Sequence, residues 1–236
     1  MHERTTLARL TFAGAICLTM TIAACAASVD HPSPTTDRPS VVSTKAAVAD
    51  SDKAQIAKPT LRTGDVWVDR IQGSDREFRI ENIHDGTMDV SFWGTEMTTD
   101  DALNVIVYRS LTQASSEPSK SDKPEIWFAF PLYPGKTWED KYNWELLGAA
   151  PAKGKGEDHG SVLGWEDVKV PAGTFHALKV VVLSRYYGAG GYNDESTLTF
   201  WYAAEVNRFV KFDYRDTFDG AVLAELVSYK PSAQSN

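Results

Sequence analysis

The chain has 236 residues, of which 42% are hydrophobic and 11% aromatic, enough for one domain of ordinary size with its own core. Its formal net charge is −8 and it contains no long basic run. This excludes nucleic acid as a partner, because phosphate binding needs clustered lysines and arginines. The only two cysteines, Cys17 and Cys25, lie near the start, which excludes disulfides and thiolate metal sites from the rest of the chain.

The amino terminus is typical of an exported bacterial protein. Arg4 and Arg9 precede a mostly apolar run over residues 10–24, which is too short to span a membrane and fits the apolar region of a signal peptide. The run closes with Ile22-Ala23-Ala24-Cys25, which resembles the lipobox of bacterial lipoproteins. In that family the cysteine sulfur receives a diacylglyceryl group, and a peptidase then cuts before the cysteine. The alternative is an ordinary Ala-x-Ala cleavage site, with Cys25 incidental.

The resemblance implies a signal peptide over residues 1–24 and lipid attachment at Cys25. Two or three acyl chains, palmitate among them, anchor a protein firmly, because each buried methylene contributes about 0.8 kcal/mol. Ala26 follows the cysteine. In Gram-negative lipoproteins an aspartate at this position commonly retains the protein at the inner membrane, so its absence favours the outer membrane. We therefore expect the protein in the cell envelope, on the periplasmic side of the outer membrane.

A tether and a single domain are predicted to follow. Residues 25–60 comprise the lipidated cysteine and a segment rich in Ala, Ser, Thr, Pro and Asp without any aromatic residue. Such a segment cannot bury enough apolar surface to offset the entropy of ordering, so we predict a disordered tether. The domain is predicted to occupy residues 61–230, where all seven tryptophans lie, and residues 231–236 are predicted to be a disordered tail.

The domain is predicted to be all-β, with about ten antiparallel strands. Residues 88–92 alternate between apolar and polar side chains, which is typical of a strand with one solvated face. The segments 178–183 and 198–203 are apolar on both faces and predict central strands covered on both sides. Turn signals such as Asp85-Gly86 separate the strands, and residues 149–160, rich in glycine and charge, are predicted to be a mobile loop. The pattern leaves a closed barrel, a sandwich and a curved sheet or incomplete barrel open.

Three segments together resemble a known group of bacterial envelope proteins. They are FPLYPGKTW at 130–138, VKVPAGTFHALK at 168–179 and FWYAAEVNRFVK at 200–211. The group is the DUF3108-like family, whose function is unknown, and the resemblance spans residues from about 125 to 230. It implies an all-β envelope domain, such as an incomplete barrel around a long curved sheet. It brings no catalytic residues.

The sequence contains no recognisable catalytic, cofactor or metal motif. There is no Gly-x-Ser-x-Gly elbow and no phosphate-binding glycine loop. The histidines of the domain, His84, His159 and His176, lie far apart in the sequence and predict no metal site. The acidic pairs Asp100-Asp101 and Glu166-Asp167 can be imagined as a general acid and base, although such pairs are common on surfaces. We therefore predict no cofactor and no catalytic residue, and an enzyme is the less favoured class.

Aromatic residues are the remaining candidate for a binding site. The possible ligand-facing residues are Trp127, Phe128, Phe130, Trp138, Tyr186 and Tyr187. They form either the core and its rim or a concave apolar surface for acyl chains, a peptide or a glycan.

Three functional hypotheses follow from the sequence. The first is a membrane-anchored, non-enzymatic lipoprotein whose domain binds an apolar ligand or an envelope protein. The second is a structural or envelope-assembly component without a small ligand, and the third is a hydrolase with an unrecognised carboxylate site. A deep apolar cavity would favour the first, and a filled interior with an exposed apolar patch would favour the second. Carboxylates that converge with a histidine in a cleft would favour the third.

Overall fold

The computed structural model describes residues 54–109, 117–148, 152–188, 191, 193–218 and 220–232. The predicted signal peptide, Cys25 and most of the predicted tether lie outside these residues. Across the described ranges, no helix has the length and apolar character needed to cross a membrane.

The described residues form twelve strands, each antiparallel to the next. The strands are β1 Val66–Ile71, β2 Ser74–His84, β3 Thr87–Phe92, β4 Thr95–Asp100, β5 Val105–Tyr108, β6 Ser119–Glu125, β7 Thr137–Leu146, β8 Lys153–Val170, β9 Gly173–Gly188, β10 Asn193–Ala203, β11 Arg208–Asp216 and β12 Ala221–Lys230. β1 pairs with both β2 and β12, so the sheet closes into a barrel. The predicted all-β, antiparallel fold is confirmed. The strand number is twelve rather than about ten, and the barrel is closed.

Tight turns set the register of the first hairpins. Asp85 and Gly86 join β2 to β3, and both have a positive φ, 49° and 79°. Gln72 and Gly73 join β1 to β2 in the same way, with φ of 49° and 82°. Two successive positive φ angles match the right-handed twist of the flanking strands, and glycine adopts them without steric cost. The Asp85-Gly86 hairpin predicted from the sequence is confirmed.

The predicted loop at residues 149–160 is wrong for its larger part. Residues 153–160 are the first half of β8 and pair with β7. Their glycines lie beneath aromatic rings of β7: a Cβ on Gly160 would lie 1.9 Å from Cε2 of Trp138. Glycine therefore permits close approach of a ring within a strand here, rather than flexibility.

The prediction that segments 178–183 and 198–203 are covered on both faces is wrong for the outer face of the first segment. In the second segment the outer residues Thr199 and Trp201 are partly buried. Leu178, Val180 and Val182 are fully buried on the inner face of β9, whereas Leu183 on the outer face is 41% exposed. A sheet that closes on itself has one inner and one outer face, so apolar residues on the outer face remain partly in contact with water.

Aromatic side chains fill one part of the barrel interior. Phe200 is central to this packing, with its ring centroid 4.8 Å from that of Phe128, 4.9 Å from that of Phe212 and 5.3 Å from that of Phe209. Rings in these tilted arrangements add to the stabilisation from burial alone.

A buried ion pair crosses this aromatic core. Arg208 and Asp69 are both buried, and the guanidinium donates to both carboxylate oxygens at 3.2 and 2.8 Å. The guanidinium also lies 4.0 Å from the ring centroid of Phe78 and 3.9 Å from that of Phe209. Trp93 Nε1 donates to the same carboxylate at 2.7 Å. Hydrogen bonds and ring faces therefore hold the charge pair, although Nε of Arg208 is buried without a hydrogen-bond partner.

Both ends of the described chain are attached to the barrel. Ile56 is buried, and its backbone N–H and C=O pair with those of Leu132 at 2.8 Å. Buried Asp65 accepts hydrogen bonds from the backbone N–H of Arg62 at 2.9 Å and of Ser232 at 2.7 Å. Residues 54–60, expected in the tether, thus lie against the domain.

Candidate functional site

A group of polar side chains lies on the inner faces of β6 to β9, beside the aromatic core. We call it the acidic cluster. Its members are Ser121, Glu125, Asp140, Tyr142, Asp158, Ser184 and Tyr186. All of them are buried except Tyr186, which is partly buried. Ordinary strand alternation places them inside, in positions that apolar residues occupy elsewhere in the barrel.

Three of these residues form a row across neighbouring strands. Asp140 of β7 lies opposite Asp158 of β8, and Asp158 lies opposite Ser184 of β9. Side chains directly opposite each other in a sheet are close neighbours, so two like-charged groups face each other here. Such a pair is destabilising when both carboxylates are ionised.

A glycine makes room for two tyrosines beside this row. Gly156 of β8 lies opposite both Tyr142 of β7 and Tyr186 of β9. A Cβ on Gly156 would lie 2.2 Å from Cε2 of Tyr142. The two tyrosine rings approach edge to face, with centroids 6.3 Å apart. The phenol groups can therefore reach the carboxylates from two strands.

Glu125 is the most enclosed carboxyl group of the cluster. Ser121 Oγ donates to one of its oxygens, and the Tyr186 hydroxyl donates to the other at 3.2 Å. Burial, together with the nearby Asp158 carboxylate, raises the pKa of Glu125 to about 8. Glu125 is therefore mainly protonated at neutral pH.

Asp158 is fully buried and only partly hydrogen-bonded. The Tyr142 hydroxyl lies 3.4 Å from Oδ1, whereas Oδ2 has no hydrogen-bond partner. Burial raises the pKa of Asp158 to about 7. The nearby Ser184 hydroxyl acts in the opposite direction and lowers the pKa of Asp158, although its Oγ makes no hydrogen bond of normal geometry. Asp158 thus changes charge near neutral pH.

The barrel wall is incompletely paired next to the cluster. The β6–β7 ladder joins only residues 119–121 to residues 144–146. Beyond it, the Asp122 carboxylate accepts hydrogen bonds from the backbone N–H of Asn143 at 2.9 Å and from its Nδ2 at 2.7 Å. Lys123 follows, with its side chain 49% exposed and its ammonium paired with buried Asp140. The buried Asp140 carboxylate of the cluster thus pairs with a side chain that is half exposed to solvent.

The aromatic residues predicted to face a ligand do not form one surface. Trp127 and Phe128 belong to the buried core, and Phe130 and Trp138 pack against it. Tyr186 joins the acidic cluster and Tyr187 is exposed on the outer face of β9. The structure therefore brings the first four together with the core and separates the two tyrosines.

The acidic pairs singled out from the sequence do not converge on a cleft. The Asp100 carboxylate accepts hydrogen bonds from the backbone N–H groups of Ala102 and Asn104, as is common in turns. Glu166, on the outer face of β8, accepts hydrogen bonds from Trp201 and Lys179.

Sequence reasoning missed Glu125, Asp140 and Asp158, which lie on three strands and far apart in the chain. One signal was available at residues 138–144. Asp140 shares the face of the alternating aromatic residues Trp138, Tyr142 and Trp144, where a charged side chain is unusual. Among the residues that the structure describes, no three His, Cys, Asp or Glu side chains are grouped so as to hold a metal ion.

An open groove of about 400 Å³ lies where the two ends of the described chain meet the barrel. Its lining includes Lys58, Arg62, Asn207 and Tyr229. These side chains are mostly polar, so the groove does not resemble the deep apolar cavity that would favour a carrier of apolar molecules.

Comparison with known proteins identifies no family. No model of a known protein family matches the chain, and no curated protein matches its sequence. The similarity to DUF3108-like proteins therefore remains a prediction.

Solved structures similar to the chain include three from bacteria. The hypothetical lipoprotein YmcC from Escherichia coli K12 has 11% identity and a TM-score of 0.41, covering 83% of this chain and 100% of that chain. A protein described as exported, with a YmcC-like fold, from Bacteroides fragilis has 15% identity and a TM-score of 0.42, covering 75% and 100%. A protein described as a lipoprotein from Parabacteroides distasonis has 11% identity and a TM-score of 0.37, covering 75% and 100%.

Proposed function

We propose that the chain is a lipid-anchored, non-enzymatic protein of the cell envelope whose barrel binds a small ligand at the acidic cluster. The observation that carries this proposal is Asp158, a fully buried carboxylate with one unpartnered oxygen and a pKa near neutrality. Buried polar atoms normally have partners, and strongly shifted pKa values concentrate at functional sites.

The polar cluster supports a ligand with polar groups better than the apolar ligand expected from the sequence. The candidate aromatic residues Trp127 and Phe128 belong instead to the core, where Phe128 packs on Phe200 and Tyr202. In the cluster, by contrast, oxygen atoms of Asp140, Asp158 and Ser184 are buried without hydrogen-bond partners. A ligand that donates hydrogen bonds to them would remove a desolvation cost of about 1–3 kcal/mol per group.

Native mass spectrometry of the full chain tests the binding function. The protein is purified from an envelope fraction in a mild non-ionic detergent, as wild type, Asp158→Asn and Glu139→Gln. Glu139 is a matched control, since it lies on β7 beside Asp140 but its side chain is 73% exposed. We expect a bound small molecule on the wild type and the control and a smaller bound fraction on Asp158→Asn. Equal occupancy in all three would place the ligand elsewhere, and a bare wild type would contradict the proposal.

The lipid anchor rests on the lipobox-like sequence at residues 22–25. Replacement Cys25→Ser should abolish incorporation of labelled palmitate and release the chain from sedimented membranes. Wild-type chain should sediment with the outer membrane on a density gradient. Membrane association that persists in Cys25→Ser would overturn the anchor.

An envelope-assembly role without a small ligand is the second candidate. The observation in its favour is the outer face of β8 and β9, where Leu163 and Leu183 are exposed. Crosslinking from these positions in intact cells should then trap an envelope protein. A hydrolase, the third hypothesis, would use Glu125 and Asp158, but the acidic cluster contains no histidine.

A further inference from the structure

We propose that the ligand of the acidic cluster carries an organic ammonium group. This inference rests on the proposed function, because it names the chemical class that the same site binds. Three features support it: the row of unpartnered oxygens, an ammonium group that the chain itself places on the cluster, and the aromatic rings beside them.

The row of oxygens matches the donors of an ammonium group. Asp140 Oδ2, Asp158 Oδ2 and Ser184 Oγ are buried without hydrogen-bond partners, and their residues are consecutive cross-strand neighbours. A primary ammonium has three N–H donors and no acceptor, whereas an ionised carboxylate only accepts. An anionic ligand would be repelled by the same groups.

Lys123 shows that the cluster accepts such a group at its edge. Its ammonium donates to Oδ1 of Asp140, a residue whose side chain is only 7% exposed. Lys123 belongs to the part of β6 that lies beyond its ladder with β7. A ligand ammonium that reaches the second oxygen of Asp140 would form the same kind of charge-assisted hydrogen bond one position further inside.

Aromatic rings provide the other half of an ammonium site. Tyr142 and Tyr186 converge over Gly156, and Trp144 follows Tyr142 on the inner face of β7. Cations are attracted to the faces of aromatic rings, and quaternary ammonium ligands are bound in this way by aromatic cages. A neutral hydrogen-bonding ligand would lack this electrostatic attraction to the ring faces.

Binding should release a proton. Asp158 is partly protonated at pH 7, and an ammonium ion beside it favours the carboxylate, so the proton leaves to solvent as the cation enters. The charged and titratable groups near Asp158 are Lys123 and Glu125 on β6, Asp140 and Tyr142 on β7, and Tyr186 on β9. Tyr108 on β5 lies near the two other tyrosines. Burial raises the pKa values of Tyr142 and Tyr186, so these two phenols stay neutral.

Calorimetric titration of the full chain in non-ionic detergent at pH 7 tests the inference. The probes are butylammonium and 1,4-diaminobutane, with 1-butanol and 1,4-butanediol as neutral counterparts. We expect at least one amine to bind about tenfold or more tightly than its neutral counterpart, which is the effect of a charge-assisted hydrogen bond. The measured heat should also differ between two buffers of different ionisation enthalpy, because a proton is released.

Variants locate the effect. Asp158→Asn and Ser184→Ala should each weaken amine binding, about tenfold for the former, while Glu139→Gln leaves the affinity unchanged. Two amines that bind no better than the alcohols, or amine binding that is equal in Asp158→Asn, would overturn the ammonium inference. An uncharged compound carried by the wild type and lost from Asp158→Asn would also overturn it, yet would preserve the proposed binding function. A wild type that binds amines but carries nothing from the envelope would support the ammonium specificity and contradict the proposed function.

Discussion

Replacement Asp158→Asn should stabilise the barrel at alkaline pH. The pKa of Asp158 rises from 3.8 to about 7 on folding, a difference of about 3 units. Each unit corresponds to about 1.4 kcal/mol, so ionised Asp158 costs the folded state on the order of 4 kcal/mol above pH 7. Between the two pKa values only the folded chain keeps the proton. The free energy of unfolding therefore falls as the pH rises from about 4 to about 7 and is level above that range.

The assay is urea unfolding of the full chain in non-ionic detergent, followed by tryptophan fluorescence at pH 5 and pH 8.5. Asparagine keeps the size of the side chain without its charge, so the variant should gain about 2–3 kcal/mol relative to wild type between the two pH values. Glu139→Gln should follow the wild type, since Glu139 is exposed. A wild type and an Asp158→Asn variant that lose stability in parallel would show that Asp158 is not held protonated by folding.

Three further substitutions test the fold around the site, each by the same unfolding measurement. Arg208→Met should destabilise the barrel by about 3–5 kcal/mol because it leaves buried Asp69 unpaired, and adding Asp69→Asn should restore part of the loss; no recovery would argue against the ion pair. Gly160→Ala should cost about 1–3 kcal/mol, since its Cβ would overlap the ring of Trp138, and an unchanged stability would mean that the ring moves freely. Ile56→Ala should cost about 2 kcal/mol and expose the adjacent chain to protease, and equal protection would refute the attachment of this segment to the barrel.

Local patterns in the sequence were sufficient for the strands and for several turns. The alternation at residues 88–92 became β3, and Asp85-Gly86 became the turn before it, because both depend on neighbouring residues alone. Closure of the barrel depends instead on the pairing of β1 with β12, whose residues Val66 and Lys230 are partners. No local pattern encodes a pairing over that separation in the chain, so the closed form could not be selected from the sequence.

Glycine was the main source of error in the strand assignment. In isolation, a stretch such as residues 153–160 has the composition of a loop. The structure shows that Gly154, Gly156 and Gly160 lie opposite Trp144, Tyr142 and Trp138 in the β7–β8 ladder. When one segment carries aromatic residues on one face and the next segment carries glycines on the same face, the two are typical of a strand pair. The large rings of one strand then lie over the glycines of the other. That correspondence becomes visible only when both segments are considered as partners.

The acidic cluster is better explained by use of its charge than by a contribution to stability. A closed barrel with this aromatic core does not need carboxylates inside, and asparagine or glutamine at positions 158 and 125 would avoid the cost of burying charge. Asp69 differs, since Arg208 and Trp93 satisfy both of its oxygens. Among the described residues, no cation forms an ion pair with Glu125 or Asp158 as Arg208 does with Asp69, and both carboxyl groups change charge near neutral pH. Such carboxyl groups lose a proton when a cation binds beside them. Their presence inside the barrel is therefore expected of a site whose cation comes from outside the chain.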